Sequence, residues 1–308
     1  MAKTGYLFPG QGAQFVGMGK DIYEAHDYVR GIFDKANEAL GYDLAKLCFE
    51  GPIEELTLTS ISQPAILVTS LAALEVLRRS GNLPEPSVTA GLSLGEYTSL
   101  VFAGSLTLED AVSVVDKRGR FMQEACDNSN GSMISVIGLS HEQVEDIVNQ
   151  AAEKGVVCAG NYNSPLQIAV SGDKAALDEI SKLAGEAGAK RVIPLNVAGA
   201  FHSDLMSPAA QKLAPYIEKA EVKKPEIKFV SNVTGKFADS PDEIKQNLIR
   251  QVDNPVRWSQ SMELLLSEGV RNYLEIGPGK VLAGLMRRID ADAKVTSLLN
   301  IESFEALG

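Results

Sequence analysis

The sequence predicts an α/β fold in which a mostly parallel, helix-covered sheet is interrupted by an inserted ferredoxin-like βαββαβ subdomain. Three observations carry this. Short β-like runs alternate with helix-length amphipathic stretches on both sides of the chain's middle, which is the pattern of a covered parallel sheet. Between about residues 128 and 197 the alternation tightens into the order βαββαβ. Gly91-Leu92-Ser93-Leu94-Gly95 joins a strand-like run to a helix-like run, as a nucleophile elbow does. The expected division is therefore a large α/β domain from 1-127 and 198-308, with residues 128-197 inserted.

In order, Tyr6-Leu7-Phe8 reads as a buried strand running into Pro9-Gly10-Gln11-Gly12, a loop whose glycines leave backbone amides unobstructed. Gly17 to Leu40 is helical with breaks and ends at Gly41. Gln63 to Arg79 carries Leu67, Leu71, Leu74 and Leu77 and predicts a long helix packed on the sheet. A strand at Ser87–Ala90 leads into the elbow, and a helix follows from Glu96 to Ala103. Gly104 is a C-cap candidate, and Thr107-Leu108-Glu109-Asp110 resembles a capping box opening the next helix. In the inserted module, Ser132–Leu139 is a strand, and Ser140 to Lys154 is a helix boxed by Ser140 and Gln143. Val156–Asn161 and Gln167–Ser171 are strands on either side of Asn163-Ser164-Pro165, Asp173 caps a helix to about Ala187, and Arg191–Leu195 is the last strand. The large domain resumes with helices at Ser207–Ala220, Pro241–Val252 and Ser259–Glu268 and strands at Ile227–Ser231 and Asn272–Ile276. Gly277-Pro278-Gly279 turns into a final helix ending near Ile289, and it is no dinucleotide site because the six-residue glycine pattern is absent.

Composition narrows the function. The chain of 308 residues is 45% hydrophobic and 22% charged, ordinary for a globular enzyme with ample core. A net charge of −11 argues against nucleic acid as a partner, since phosphate binding needs clustered positive charge. Cys48, Cys126 and Cys158 are far apart and lack metal-ligand spacing, so a metal and a disulfide framework are not expected. The longest uncharged stretch, Leu56 to Leu74, is broken by Thr, Ser, Gln and Pro, and no apolar targeting segment opens the chain. The expectation is a cytoplasmic protein without a membrane span, a monomer, with no cofactor.

The elbow supplies half of an acyl-transfer site. Gly91 and Gly95 give Ser93 the small neighbours that a tight strand-to-helix turn requires, and the following helix aims backbone N–H groups at developing negative charge. A serine hydroxyl needs a base. Of three histidines, His26 sits beside Glu24 and Asp27 on a surface helix, and His141 opens the subdomain's first helix. His202, in the small-residue loop Gly199-Ala200-Phe201-His202-Ser203, remains by elimination. The group orienting its ring is open between Asp204, Asp253 and a backbone carbonyl. Arg118 is the anomaly, a guanidinium on the helix face formed by Ala111, Val114, Val115, Phe121 and Met122. It needs an anion or several carbonyls, so it is either a structural ion pair, a snorkelling side chain, or the receptor for a substrate carboxylate. Arg120, by contrast, has Asp116 and Glu124 at helical spacing and reads as solvated surface.

Taken together, Phe8-Pro9-Gly10-Gln11-Gly12-Ala13-Gln14, the 91–97 segment, Arg118-Gly119, Asn161-Tyr162-Asn163-Ser164-Pro165, the 199–203 segment, Ser231-Asn232 and Glu275-Ile276-Gly277-Pro278-Gly279 resemble the malonyl-CoA:acyl carrier protein transacylases, in order across nearly the whole chain. The resemblance implies an α/β-hydrolase-like large domain carrying the ferredoxin-like insertion, with the site in the cleft between them. It implies a malonyl-serine intermediate on Ser93, His202 as base and then acid, and the Gln251 backbone carbonyl orienting His202. It also implies an oxyanion hole from the amides of Gln11 and Leu94, and Arg118 on the malonyl carboxylate. Phe201, Asn161, Asn163 and Asn232 would face substrate, Phe201 narrowing the pocket at the acyl α-carbon. The partners implied are malonyl-CoA and an acidic acyl carrier protein in fatty acid biosynthesis, the carrier docking on Lys190 and Arg191. Leu92 stands where the family commonly has histidine, and Leu166 where it often has glycine. The competing readings are a serine thioesterase or other hydrolase, the acyltransferase component of a polyketide synthase, and a catalytically dead carrier-binding subunit.

Overall fold

The structure is a computed structural model describing residues 3–81 and 83–307. The nine strands among the described residues are β1 Thr4–Phe8, β2 Pro86–Gly91, β3 Gly131–Ile137, β4 Val157–Ser164, β5 Gln167–Asp173, β6 Arg191–Pro194, β7 Lys228–Phe229, β8 Asn272–Ile276 and β9 Lys294–Leu298. Five form a wholly parallel sheet in the order β7-β2-β1-β8-β9. The other four form an antiparallel sheet in the order β4-β5-β3-β6. A mixed α/β fold with one parallel and one small antiparallel sheet is therefore present.

Burial explains the parallel sheet. β1 is buried along its whole length, and Tyr6, Leu7 and Phe8 contribute to apolar clusters on both faces. The helix Thr59–Ser80 is buried from Thr59 through Leu77 on nearly every side, packed among the helices Asp27–Leu40, Gly95–Phe102 and Leu108–Asp127. That position accounts for its composition: it is long and apolar enough to span a membrane, yet most of it lies in the protein interior. Truncating Leu67 here would remove about 2–5 kcal/mol of stability, the usual range for a buried leucine.

Several local expectations need correction. The long helix begins at Thr59, four residues earlier than periodicity suggested, and holds Pro64 inside it. β4 runs on through Asn161, Tyr162 and Asn163 to Ser164, with register shifts between Ala159/Asn161 and Tyr162/Ser164, so the reversal falls at Pro165-Leu166. Asp173 occupies a helix N-cap position, but its Oδ2 accepts from the Val156 amide rather than from its own helix. Thr107 accepts from the Asp110 amide, while the Asp110 carboxylate takes the Thr107 hydroxyl instead of closing the box on the backbone. The chain does not end in the helix Val281–Ile289: β9 and a short helix, Ile301–Glu305, follow it.

The Gly-Pro-Gly turn has a structural explanation. The Glu275 carboxylate accepts from the amides of Leu282 and Ala283 and from Ser297 Oγ, fixing the helix Val281–Ile289 against β8 and β9. Gly277 has φ 132° and a Cβ there would collide with Ser70 and Pro9, so the turn is a packing device beside β1.

Candidate active site

A cleft of about 580 Å³ opens at the C-terminal ends of β1 and β2, where open parallel sheets place their ligand sites. Its walls come from Gly10 to Gly12, Leu92 and Ser93, Arg118 on the helix Leu108–Asp127, and Met133, Asn161, Asn163 and Gln167 on the antiparallel sheet. The strap Leu195 to His202 crosses between the two sheets and closes one side.

Ser93 sits on the turn between β2 and the helix Gly95–Phe102 with φ 51°, a left-handed conformation that a non-glycine residue adopts only when its surroundings impose it. The surroundings are specific. A Cβ on Gly91 would run into the Gly95 carbonyl, one on Gly95 into the Phe8 carbonyl, and one on Gly10 into the Leu92 carbonyl. The elbow and the Pro9-Gly10 loop are thus pressed backbone to backbone, which brings Gln11 beside Ser93. Asn232 clasps the turn from beneath, its Oδ1 accepting from the Ser93 amide at 2.6 Å and its Nδ2 donating to the Gly91 carbonyl at 2.7 Å.

His202 also has positive φ, 59°, and is buried. Its Nε2 lies 2.8 Å from Ser93 Oγ, and its Nδ1 lies 2.7 Å from the backbone oxygen of Gln251. A carbonyl can only accept, so Nδ1 carries the proton and Nε2 presents its lone pair to the hydroxyl. Burial, with the Arg118 charge as a second cause, holds the imidazole down from 6.5 to about 4, so it is neutral near pH 7. Of the orienting groups left open by the sequence, the carbonyl is the one in contact: Asp253 instead bonds Ser207 and Asn254. His26 stacks on Tyr28 and His141 faces the Ser164 carbonyl, both away from the elbow.

Arg118 is 1% exposed. Its Nη1 donates to Gln63 Oε1 at 2.5 Å, and its Nη2 donates to Gln251 Oε1 at 2.8 Å and to Ser93 Oγ at 3.0 Å. Nε has no hydrogen-bond partner, and among the described residues no carboxylate lies within ion-pair distance of the guanidinium. Burial lowers its pKa, opposed chiefly by Tyr97, over which it lies 5.7 Å from the ring centroid, and by Glu96. A guanidinium remains charged even so. Arg120, as its spacing suggested, pairs with Asp116 at 2.7 Å.

The remaining expected residues divide. Gln11, Asn161, Asn163 and Phe201 line the cleft. The backbone amides of Gln11 and Leu94 donate to no protein acceptor among the described residues, leaving two N–H groups free beside Ser93. Asn232, expected on substrate, is buried behind the elbow, and its side chain is occupied by Ser93 and Gly91. Lys190 and Arg191 are exposed, and Arg191 pairs with Ile137, whose other neighbour is the cleft residue Gln167. They therefore lie two strand spacings, roughly 10 Å, from that rim. Sequence reasoning missed Gln63, Glu96 and Arg288. Gln63 and Glu96 are polar interruptions in apolar runs, the same signal that singled out Arg118. Arg288 donates to Gln167 at the rim, and only the fold brings them together. No group of three or more His, Cys, Asp or Glu side chains that could hold a metal occurs among the described residues.

The chain is similar to known proteins over nearly its whole length. Residues 5–300 match the family described as acyl transferase domain. The chain is 44% identical over 306 residues to the malonyl CoA-acyl carrier protein transacylase of Bacillus subtilis, covering 99% of this chain and 96% of that protein. Its fold superposes with a TM-score of 0.96 on an acyl carrier protein S-malonyltransferase from Vibrio cholerae, 40% identical, with both chains covered completely. It superposes at 0.95 on a malonyl-transacylase in complex with its type II polyketide synthase acyl-carrier protein, 39% identical, covering 99% of each chain.

Proposed function

We infer that this chain, which belongs to the acyl transferase domain family and resembles its malonyl-CoA:acyl carrier protein transacylases from end to end, moves the malonyl group of malonyl-CoA to the thiol of an acyl carrier protein for fatty acid biosynthesis. The single observation that carries the acyl specificity is a buried guanidinium 3.0 Å from the nucleophile with no carboxylate of its own. A malonyl carboxylate is the partner that such a charge lacks.

The steps follow from the geometry. Ser93 Oγ attacks the thioester carbonyl carbon as His202 Nε2 takes its proton, and the resulting imidazolium is held in place by Nδ1–H on the Gln251 carbonyl. The developing oxyanion is stabilised by the free amides of Gln11 and Leu94. Collapse breaks the carbon–sulfur bond, and the departing thiolate of coenzyme A receives the proton from His202, leaving malonyl-Ser93. The carrier's thiol then attacks the ester carbonyl while His202 takes the thiol proton, and that proton returns to Ser93 Oγ as the serine leaves. Throughout, Arg118 holds the carboxylate at the far end of the acyl chain, and Asn161, Asn163 and Phe201 shape the pocket.

The wider reading is a large domain from 1-127 and 198-308 related to α/β hydrolases, supported by the elbow at the C-terminal end of an inner strand of a parallel sheet, with a ferredoxin-like insertion at 128-197, supported by its βαββαβ order. The site is complete within one chain, as a monomer requires, and three unpaired cysteines support a cytoplasmic setting. Carrier docking at Lys190 and Arg191 rests on their charge and nearness to the rim. A hydrolase would share the elbow but has no use for the buried arginine.

The test is intact-mass analysis after incubation with a mixture of acyl-CoAs. A single malonyl adduct that disappears on adding carrier protein supports transfer. Release of free malonate without carrier labelling would make the protein a hydrolase.

A further inference from the structure

The mechanism leaves one buried carboxylate unused. Glu96 lies three residues beyond Ser93 in the first turn of the helix Gly95–Phe102 and is 1% exposed. Its Oε1 accepts from the Asn232 amide at 3.0 Å, and its Oε2 accepts from Gln251 Nε2 at 2.7 Å. Both partners hold reacting groups. Asn232 clasps the two ends of the elbow, while Gln251 takes the His202 proton on its carbonyl and Arg118 Nη2 on its Oε1. A buried charge is costly unless each lone pair is used, and here both oxygens are used within the site.

Glu96 helps to set the direction of the Gln251 amide. Its Nε2 faces two groups that only accept, Glu96 Oε2 and the Ser93 carbonyl at 2.7 Å, so its Oε1 is left for Arg118, which only donates. We propose that Glu96 is a positioning residue for acyl selectivity: by accepting only, it fixes the Gln251 amide so that an oxygen meets Arg118, and so holds the guanidinium where an acyl carboxylate is read. This rests on the transacylase reading above.

Replacing the carboxylate by an amide breaks the arrangement at a definite place. A glutamine at 96 can accept from Asn232 N–H or from Gln251 Nε2 but not from both. The Asn232 amide is backbone and cannot turn, so the Gln251 side chain gives way. The Ser93 carbonyl and Arg118 oppose its reversal, so it shifts away from the new amide and loosens its oxygen on the guanidinium. His202 is spared, because it is held by the Gln251 backbone. The lesion therefore falls on carboxylate recognition rather than on the base.

Protonation of Glu96 would do the same as the amide. Burial pushes this carboxyl up to about 7, against the hydrogen bonds from Asn232, Gln251 and Ser231 and the Arg118 charge. The titratable and charged groups acting on it are Arg118, which stays charged, and Tyr97, which burial raises. His202 acts on every acyl donor alike and cancels in a ratio of rates.

The experiment measures single-turnover acylation of Ser93 by malonyl-CoA and by acetyl-CoA in wild type, Glu96→Gln and Glu96→Asp. Glu96→Gln is expected to lower the malonyl-to-acetyl rate ratio by about tenfold or more while acetyl acylation changes by less than about threefold. Glu96→Asp, still an acceptor only, should recover part of the ratio. In wild type the ratio should fall as pH drops from about 8 to about 6, well above the range in which malonyl itself titrates. Equal loss with both donors, or no loss with either, overturns the proposal. If circular dichroism shows Glu96→Gln unfolded, the wild-type profile decides, and a flat ratio overturns it. Failure of wild type to form malonyl-Ser93 would instead refute the transacylase reading itself.

Discussion

Arg118 Nη2 lies 3.0 Å from Ser93 Oγ, so a fully buried cation touches the nucleophile directly. The same oxygen lies 2.8 Å from His202 Nε2. A base and a fixed positive charge thus converge on one hydroxyl, and the acyl group bound there must accommodate both.

On the proposed reading, that contact makes Arg118 the residue that decides acyl choice. Arg118→Ala should lower kcat/KM for malonyl-CoA by about two to four decades, the equivalent of removing one partner of a buried pair worth roughly 3–5 kcal/mol. Acetyl-CoA should lose little or gain. Arg118→Lys should rescue only in part, because an ammonium lacks the planar fork. An unchanged malonyl-to-acetyl ratio would return Arg118 to a purely structural role.

Covalent catalysis is checked by mass. Ser93→Ala should take up no malonyl group, and His202→Ala should slow acylation by several decades, since nucleophile and base act as a unit. Full labelling of the serine variant would remove Ser93 from the chemistry.

Phe201 lines the cleft immediately before the base. Phe201→Ser should raise transfer of methylmalonyl relative to malonyl, and a partial shift is expected because one methyl is worth about 1–3 kcal/mol of discrimination. Competition between the two CoA esters, read by intact mass, measures it; an unaltered product ratio argues that Phe201 does not meet the α-carbon.

An acidic carrier meeting an acidic enzyme needs a local basic patch. Charge reversal at Lys190 and Arg191 should raise KM for the carrier and leave acylation by malonyl-CoA untouched. Should both half-reactions weaken together, those side chains support the fold instead of the partner.

The pH dependence follows from His202, whose folded pKa of about 4 lies below the ordinary 6.5. With acetyl-CoA as donor, the acidic limb of acylation should therefore sit near pH 4 rather than 6.5. The stability sign is fixed too. The unfolded chain binds the extra proton between these values, so the contribution of neutral His202 is present above 6.5 and is lost as pH falls toward 4. Glu96 runs oppositely: its raised pKa makes its contribution greatest below 4.5 and lost as pH rises through about 7. Melting temperatures of His202→Ala and Glu96→Gln against wild type across this range would test both signs.

Features under the control of local pattern are legible in the residues alone. Gly91, Ser93 and Gly95 announce a strained strand-to-helix turn because only glycine fits where two backbones touch. Helical spacing put Arg118 on an apolar face and Arg120 on a wet one. Elimination reached His202, since the other histidines sit in solvated contexts. The tertiary structure decided what depends on contact through space. No local pattern shows that the Gln251 carbonyl rather than Asp253 meets His202, that Asn232 faces the elbow rather than the cleft, or that Glu96 joins the two. β9 escaped for the same reason, being a short, half-exposed edge that becomes a strand only by pairing with β8. Hydrogen bonds between residues more than a hundred positions apart have no period in the chain, and these bonds set the geometry of the site.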